Sequence, residues 1–325
     1  MNNQTMQVPL QQPIVFEIEG FDILPGSGPF FFLLALLVYM LVLLGNGVVV
    51  CVITLSDPRL TSPMYFFLQN LSFVDLVYTT TTIPNMLAGF LMDQLTISIP
   101  GCFLQMYFFT QLAVTGRAIL TVMAYDRYLA VCNPLRYTAI MTRSVRMLLV
   151  TGAWSFGLLC TLPPRVLAFL RPYCGPNMVR HSWCDLSSVR TLACADTSID
   201  NVLSLSFAMV ALLTTGVLIL TSYFLIATSM YQMGVPERLK AFSTCAAHLT
   251  VVSISYIFGG YFTPSLNLCI LTAVRIIVSV LYSALTPFLN PMIYSLRNKE
   301  LRIAIRKTLA SFRPAATSTV KAIST

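Results

Sequence analysis

"LTVMAYDRYLAVCNPLRY", residues 120–137, carries an apolar run into an acid, a base and an aromatic, Asp126-Arg127-Tyr128, and breaks it at Asn133-Pro134. The residue before a proline avoids the helical region, so a helix entering this stretch ends there. A charged pair at the end of an apolar helix fits a membrane span whose foot reaches water. The rest of the chain agrees. Of its 325 residues 56% are hydrophobic and 10% charged, whereas about a quarter are charged in a soluble domain. Seven apolar stretches of spanning length lie near 30–55, 64–88, 100–125, 146–168, 202–228, 243–264 and 272–295. Hydrocarbon admits only helices or closed barrels, and these runs are too long and continuous for barrel strands. The expectation is an all-α membrane protein: a seven-transmembrane helix bundle over 30–295, an extracellular N-terminus over 1–29, and a short amphipathic cytoplasmic eighth helix and tail over 296–325.

Orientation follows from the basic residues. Arg59, Arg127, Arg136, Arg143, Arg146, Arg238, Lys240 and seven more from Arg297 to Lys321, fourteen of twenty, fall on one set of connections, which therefore face the cytoplasm. Most acids fall on the other side, with an Asn3-Gln4-Thr5 glycosylation acceptor at Asn3 that makes sense only outside. The +8 net charge is divided among short loops rather than gathered in a stripe, which argues for the inner lipid leaflet and protein partners and against nucleic acid. Residues 1–25 lack a basic start and an apolar core, so the first span is expected to serve as its own insertion signal.

The longest connection, about 30 residues between the fourth and fifth spans, holds Cys174, Cys184 and Cys194 at equal spacing, with Cys102 at the outer mouth of the third span. In an oxidising compartment four cysteines allow three pairings. A bridge from Cys102 to one loop cysteine would hold the loop over the bundle and leave the other two to close a ring. Cys51, Cys160, Cys245 and Cys269 fall in or at the ends of spans, as small apolar filler. In the seventh span Pro287 and Pro291 each remove a backbone donor and bend the helix, leaving carbonyls for Asn290 or water. Beyond Arg297, Leu301, Ile305 and Leu309 share one helical face with Arg302, Arg306 and Lys307 opposite or flanking, as an interfacial helix requires.

Gly45-Asn46, "SPMYFFLQNLSFVDL", "MAYDRYLAVCNP", Ser222-Tyr223, "KAFSTCAAHL" and "PFLNPMIYSLRN", in this order and each at its own depth, resemble the odorant receptors, a branch of the rhodopsin-like G-protein-coupled receptors. The triple-cysteine loop is similar to theirs, and the pairing preferred here is Cys102–Cys184 with Cys174–Cys194. The resemblance implies a chemosensory receptor in the plasma membrane of sensory cilia, taking small, mostly apolar molecules and activating a stimulatory, olfactory-type heterotrimeric G protein to raise cyclic AMP. It implies a switch of Asp126, Arg127, Tyr128, Tyr223, Lys240, Asn290, Pro291 and Tyr294, in which Arg127 is held by Asp126 at rest and swings to the G protein on activation. A solvated helix end is the plainer reading of the triplet taken alone.

For the ligand, a rise of 1.5 Å per residue puts Phe109 about 27 Å above Arg127. Phe109, Thr110 and Ala113 are expected on one face, met at the same depth by Phe207, Ala211, Tyr256, Gly260, Thr263, Val280 and Ser283. The set is apolar with a few hydroxyls, suited to a small volatile molecule, although plain packing accounts for any one of its aromatics. No acid lies between Cys102 and Asp126, which disfavours amine ligands. Two departures from the family pattern stand out. Odorant receptors often carry a glutamate where this chain has Gly116, and the next residue is Arg117; "SYIFGG" around Tyr256 replaces a Phe-Tyr-Gly run. Arg117 lies about 15 Å above Arg127 and needs a partner at that depth; an ion pair with Asp75 in place of a sodium ion is one reading, and snorkelling, hydration by water or a partner elsewhere are the others. Asn46 is the third intramembrane polar group.

An enzyme is disfavoured, since the two histidines, His181 and His248, have no catalytic set near them. No metal site or cofactor is expected. A transporter or channel would show repeated halves or pore-lining charges, and none is visible. The alternative on physical grounds alone is a non-olfactory rhodopsin-like receptor for a lipid-like or other non-amine ligand. The oligomeric state is not legible.

Overall fold

The computed structural model describes residues 15–19, 28–55, 62–92, 95–174, 177–261, 272–297 and 299–311, with backbone alone at 240, 244, 258–261, 272–279, 281–282, 296–297, 299 and 309–311, so that Lys240 and Gly260 are placed by backbone only. Asn3 and Thr263 lie outside the described residues. The order is β1 (Val15–Ile18), α1 (Gly28–Leu55), α2 (Pro63–Leu91), β2 (Leu95–Ser98), α3 (Ile99–Cys132), α4 (Tyr137–Ile140), α5 (Arg143–Phe169), β3 (Met178–Val179), α6 (Leu186–Arg190), α7 (Ser198–Tyr231), α8 (Val235–Tyr261), α9 (Thr272–Arg297) and α10 (Lys299–Ser311). Seven of these helices are long and form one bundle, with α3 packed against α2, α5, α7 and α8 at its centre.

Local chemistry sets several ends. Pro63 opens α2 where its missing N–H would go unused. Ser98 and Thr142 cap α3 and α5, accepting from the Gly101 and Val145 amides. Asn133, before Pro134, closes α3.

The bundle keeps polar groups inward and apolar ones outward. Among the described residues four helices, α1, α3, α5 and α7, are apolar enough over 18 residues to cross a membrane by length and composition alone. In α2 the polar positions Ser72, Asp75, Thr79 and Thr82 are buried between helices, away from lipid; Asp75 and Thr79 are hydrogen-bonded there, whereas the Ser72 and Thr82 hydroxyls meet no partner among the described residues. Conversely α1 exposes Phe30, Leu33, Leu37 and Leu44, and α7 exposes Leu213, Val217, Leu220 and Phe224. That outward apolar belt suits hydrocarbon. In α10 Leu301 and Ala304 are buried against the bundle while Arg302, Arg306 and Lys307 are exposed, and the Tyr65 hydroxyl donates to Glu300 at 2.9 Å to fix its start.

A small sheet, absent from the sequence reading, closes one mouth. β1 is its central strand, antiparallel to β2 with Phe16 opposite Ile97, and parallel to β3 with Glu17 opposite Met178. Strand alternation turns Phe16 and Ile18 inward, and the Phe16 ring meets Tyr173 edge-on at 5.6 Å.

Candidate functional site

Two disulfides brace the same mouth. Cys102 at the start of α3 bonds Cys184 with Cα atoms 5.4 Å apart, and Cys174 bonds Cys194. Gln105 adds a second tie, since its Nε2 donates to the Thr81 carbonyl at 2.7 Å and its Oε1 accepts from the Cys184 amide at 3.1 Å. Trp183, one residue before that bridge and 1% exposed, is thereby pressed into the bundle against Ile83 and Met86. Neither Gln105 nor Trp183 is singled out by the sequence reading, although a tryptophan beside a bridged cysteine was the available signal. Below the loop, burial pushes the Tyr173 hydroxyl up to about 12; it donates to the Ala168 carbonyl at 2.8 Å.

The expected ligand residues divide among several places. Phe109 stacks on Tyr78 with centroids 4.9 Å apart and leans on Trp183 at 5.6 Å. Val280 of α9 joins the same cluster, and Ser283 is buried one turn on, donating back to the Val280 carbonyl at 3.0 Å. The rest of the expected convergence needs correction. Thr110 does not share the face of Phe109: consecutive helical residues point about 100° apart, and its hydroxyl donates to the Met106 carbonyl at 2.9 Å while accepting from Arg165 of α5 at 2.8 Å. Ala211 is packed with Val114, Cys160 and Phe156 between α3, α5 and α7. Tyr256 turns to α7, where its hydroxyl donates to Thr215 at 2.6 Å and its ring lies over Gly216. Ala113 faces a deeper cavity, and Phe207 is half-buried.

That cavity, of about 30 Å³, is lined by Asp75, Ala113, Arg117, Ser255, Thr286 and Asn290 among others. It has room for a water molecule. The expected Arg117–Asp75 ion pair is corrected here. Both side chains reach the cavity, but Asp75 accepts from the Asn290 amide at 2.7 Å, and no ion pair joins it to Arg117 among the described residues. Helical rise fixes the depth of two residues but not their bearing around the bundle. Asn290 is thus engaged by α2, and the carbonyl freed by a proline is met from another helix. Pro291 lacks the N–H that would bond the Pro287 carbonyl four residues back, and Asn46 of α1 donates to that oxygen at 2.9 Å. Gly45 permits this approach, for a Cβ there would stand 3.1 Å from the Pro291 ring.

At the opposite, arginine-rich end, Asp126 is fully buried. Its Oδ2 accepts from Arg127 Nε at 3.1 Å and from Arg127 Nη2, and its Oδ1 accepts from the Tyr137 hydroxyl at 2.7 Å. Tyr137 is in α4, just past the break at Asn133-Pro134, so the turn that ends α3 also returns this phenol to the carboxylate. Burial and then the Asp126 charge push the Tyr137 hydroxyl well above the ordinary phenol range. Tyr128 is half-buried against the core, and Tyr125 lies 6.3 Å from it. His248 of α8 ties three helices: its Nε2 meets the Leu120 carbonyl at 3.0 Å and its Nδ1 meets the Tyr223 hydroxyl at 2.7 Å. A carbonyl only accepts, so Nε2 carries hydrogen, and in the neutral ring the Tyr223 hydroxyl donates to Nδ1. Tyr294 is buried nearby, and its hydroxyl meets no acceptor among the described residues.

Seven long helices with a bridged loop over one mouth and a carboxylate–arginine–phenol clasp at the other are the frame of a seven-helix membrane receptor. The chain belongs to the olfactory receptor family, whose family model, described as "Olfactory receptor", matches residues 35–311. It is similar to Olfactory receptor 13C2 of Homo sapiens, 41% identical over 303 residues, covering 91% of this chain and 95% of the relative. Olfactory receptor 6N1 of Homo sapiens is 44% identical over 299 residues, covering 90% and 94%. Olfactory receptor 5G25 of Mus musculus is 44% identical over 280 residues, covering 85% and 87%. The protein is therefore an odorant receptor of the multi-pass plasma-membrane, G-protein-coupled class, a signalling family and not an enzyme family.

Proposed function

We propose that small, mostly apolar molecules bind at the disulfide-braced mouth, against the cluster of Phe109, Trp183 and Val280, and that binding opens the Asp126 clasp to a stimulatory, olfactory-type G protein, raising cyclic AMP. In this reading residues 1–29, bearing the Asn3 glycan, and the bridged loop face outward, 30–295 form the receptor domain, and 296–325 lie at the cytoplasmic leaflet against its lipids. Asp126, Arg127, Tyr128, Tyr223, Lys240, Asn290, Pro291 and Tyr294 form the switch. The observation that carries the proposal is the full occupation of Asp126 by Arg127 and Tyr137: the arginine that would grip a G protein is held, so the inner mouth is at rest. A two-state element of this kind needs only a few kcal/mol of differential ligand affinity to shift.

The test is an odorant panel read by cyclic AMP in transfected cells, with surface delivery measured on the same cells. The expected result is a saturable response that Arg127→Ala abolishes while ligand binding persists. Labelling that puts residues 1–25 and 300–325 on one face of the membrane would overturn the reading.

A further inference from the structure

Three rings join the braced mouth to the polar cavity. Trp183 is held from above by the Cys102–Cys184 bridge and by Gln105 on the Cys184 amide. Its indole leans on the Phe109 ring, with centroids 5.6 Å and planes 51° apart. Phe109 in turn lies nearly flat on Tyr78, at 4.9 Å and 19°. Tyr78 is 5% exposed and lines the cavity together with Asp75, Pro287 and Asn290. It stands three residues after Asp75 in α2, on the same helical face. The stack therefore ends where Asp75 accepts from Asn290 and where Asn46 meets the Pro287 carbonyl at the kink of α9.

Apolar packing narrows the route further. The mouth cluster of Ile83, Met86 and Trp183 and the main core, which includes Tyr78, are separate groups of buried side chains, and among the described residues Phe109 alone packs on both. Close-packed interiors pass a displacement on rather than absorb it. With Trp183 tied from above through the bridge beside it, a ring displaced at the mouth moves toward α2. A row of contacts couples two sites only if it ends on an element with two arrangements. A proline-kinked helix whose bend is held by side chains of α1 and α2 is such an element.

We propose that Tyr78 is a positioning residue for signalling: the ring through which contact at Trp183 and Phe109 sets the Asp75–Asn290 joint and, with it, the bend of α9. This rests on the reading that the braced mouth holds the odorant. It supplies the connection to the inner half which that reading lacks.

Coupling is reciprocal, so it is read from the kink outward without an odorant. The chain holds two tryptophans, Trp154 and Trp183, and in Trp154→Phe the emission comes from the mouth alone. In the full chain in nanodiscs, Asn290→Ala, or Asn46→Ala acting on the same bend from α1, is expected to shift the Trp183 emission with Tyr78 intact and in Tyr78→Phe. In Tyr78→Leu the same changes should leave it in place. An equal shift in Tyr78→Leu, or none with Tyr78 intact, overturns the proposal. If Tyr78→Leu fails to reach the membrane, Phe109→Leu cuts the stack from its other side and decides instead. In cells, the odorant panel is compared by cyclic AMP at equal surface level. Tyr78→Phe should respond as the unaltered chain does, and Tyr78→Leu about fivefold or more below it, the lower end of ordinary coupling between two sites. The compounds that act on the unaltered chain should still raise the unfolding temperature of Tyr78→Leu. Loss of that stabilisation along with the response assigns Tyr78 to the packing of the mouth and overturns the proposal. Emission coupling with no response to the panel supports the role of Tyr78 and removes the odorant reading of the mouth; a response to the panel without emission coupling does the reverse.

Discussion

Asn46 of α1 donates its side-chain amide to the carbonyl of Pro287 in α9, 241 residues away, at 2.9 Å. The same Nδ2 also reaches the Val42 carbonyl at 3.1 Å. The bond repairs what Pro291 breaks, so α1 and α9 are joined at the kink. Removing Asn46 leaves a buried carbonyl unmet, a loss of about 1–3 kcal/mol. Asn46→Ala is expected to lower the unfolding temperature of the detergent-solubilised receptor and its surface level, with Asn46→Asp worse still, because a carboxylate cannot donate to that oxygen. An unchanged unfolding temperature in Asn46→Ala would mean that water serves the carbonyl equally well.

The Asp126 clasp has two independent donors, and they predict different phenotypes. Tyr137→Phe removes one bond to a buried carboxylate, worth about 1.5–3 kcal/mol, and leaves Arg127 intact. Basal cyclic AMP relative to surface receptor is expected to rise several-fold, because the resting state loses a bond that the active state need not make. Arg127→Ala silences the receptor in both conditions. Basal signalling of Tyr137→Phe at the level of the unaltered chain would remove Tyr137 from the clasp.

His248 supports a quantitative test. Its two ring nitrogens reach α3 and α7 at once, so His248→Ala loses both bonds and Tyr223→Phe loses one. At about 1 kcal/mol per neutral hydrogen bond, the first is expected to cost about twice the second in thermal stability. Combining the two should add little to His248→Ala, since one interaction is being removed twice. A fully additive double variant would show that the Tyr223–His248 contact carries no coupling.

The spans were legible in the sequence because each must provide about 30 Å of apolar helix, and the ends of α3 because proline chemistry is local. What lay across the bundle was not. Depth follows from counting residues, whereas the bearing of a side chain depends on how each helix is rotated in its packing. Thus counting puts Asp75 and Arg117 at one level, whereas the group that Asp75 engages there is Asn290. The same limit scattered the expected ligand set, as Ala211 and Thr110 turned toward α5 and left Phe109 and Val280 with Trp183. Tyr137 could not be tied to Asp126 without knowing how the chain returns after Pro134. The β1 strand is not legible either, since four residues of alternating burial carry little signal unless their neighbours in β2 and β3 are known.

Two glycines of α5 make a matched pair for testing how closely α3 and α5 pack. A Cβ at Gly157 would collide with the Thr115 hydroxyl and crowd the Gln111 amide at 3.0 Å. Those groups are not free to move, because Gln111 bridges the two helices, donating to the Trp154 carbonyl at 3.2 Å and accepting from Thr161 at 2.7 Å. Small residues that let backbones approach are a main source of helix association in membranes, so Gly157→Ala is expected to destabilise by about 1–3 kcal/mol through overpacking. Gly152, five residues earlier in the same helix, has nothing within 4 Å of the corresponding position. There Gly152→Ala has only the helix preference of alanine to express, about 1 kcal/mol in the stabilising direction. Opposite shifts of the unfolding temperature check both statements at once, and shifts of the same sign would show that helix propensity, not the α3–α5 contact, governs this stretch.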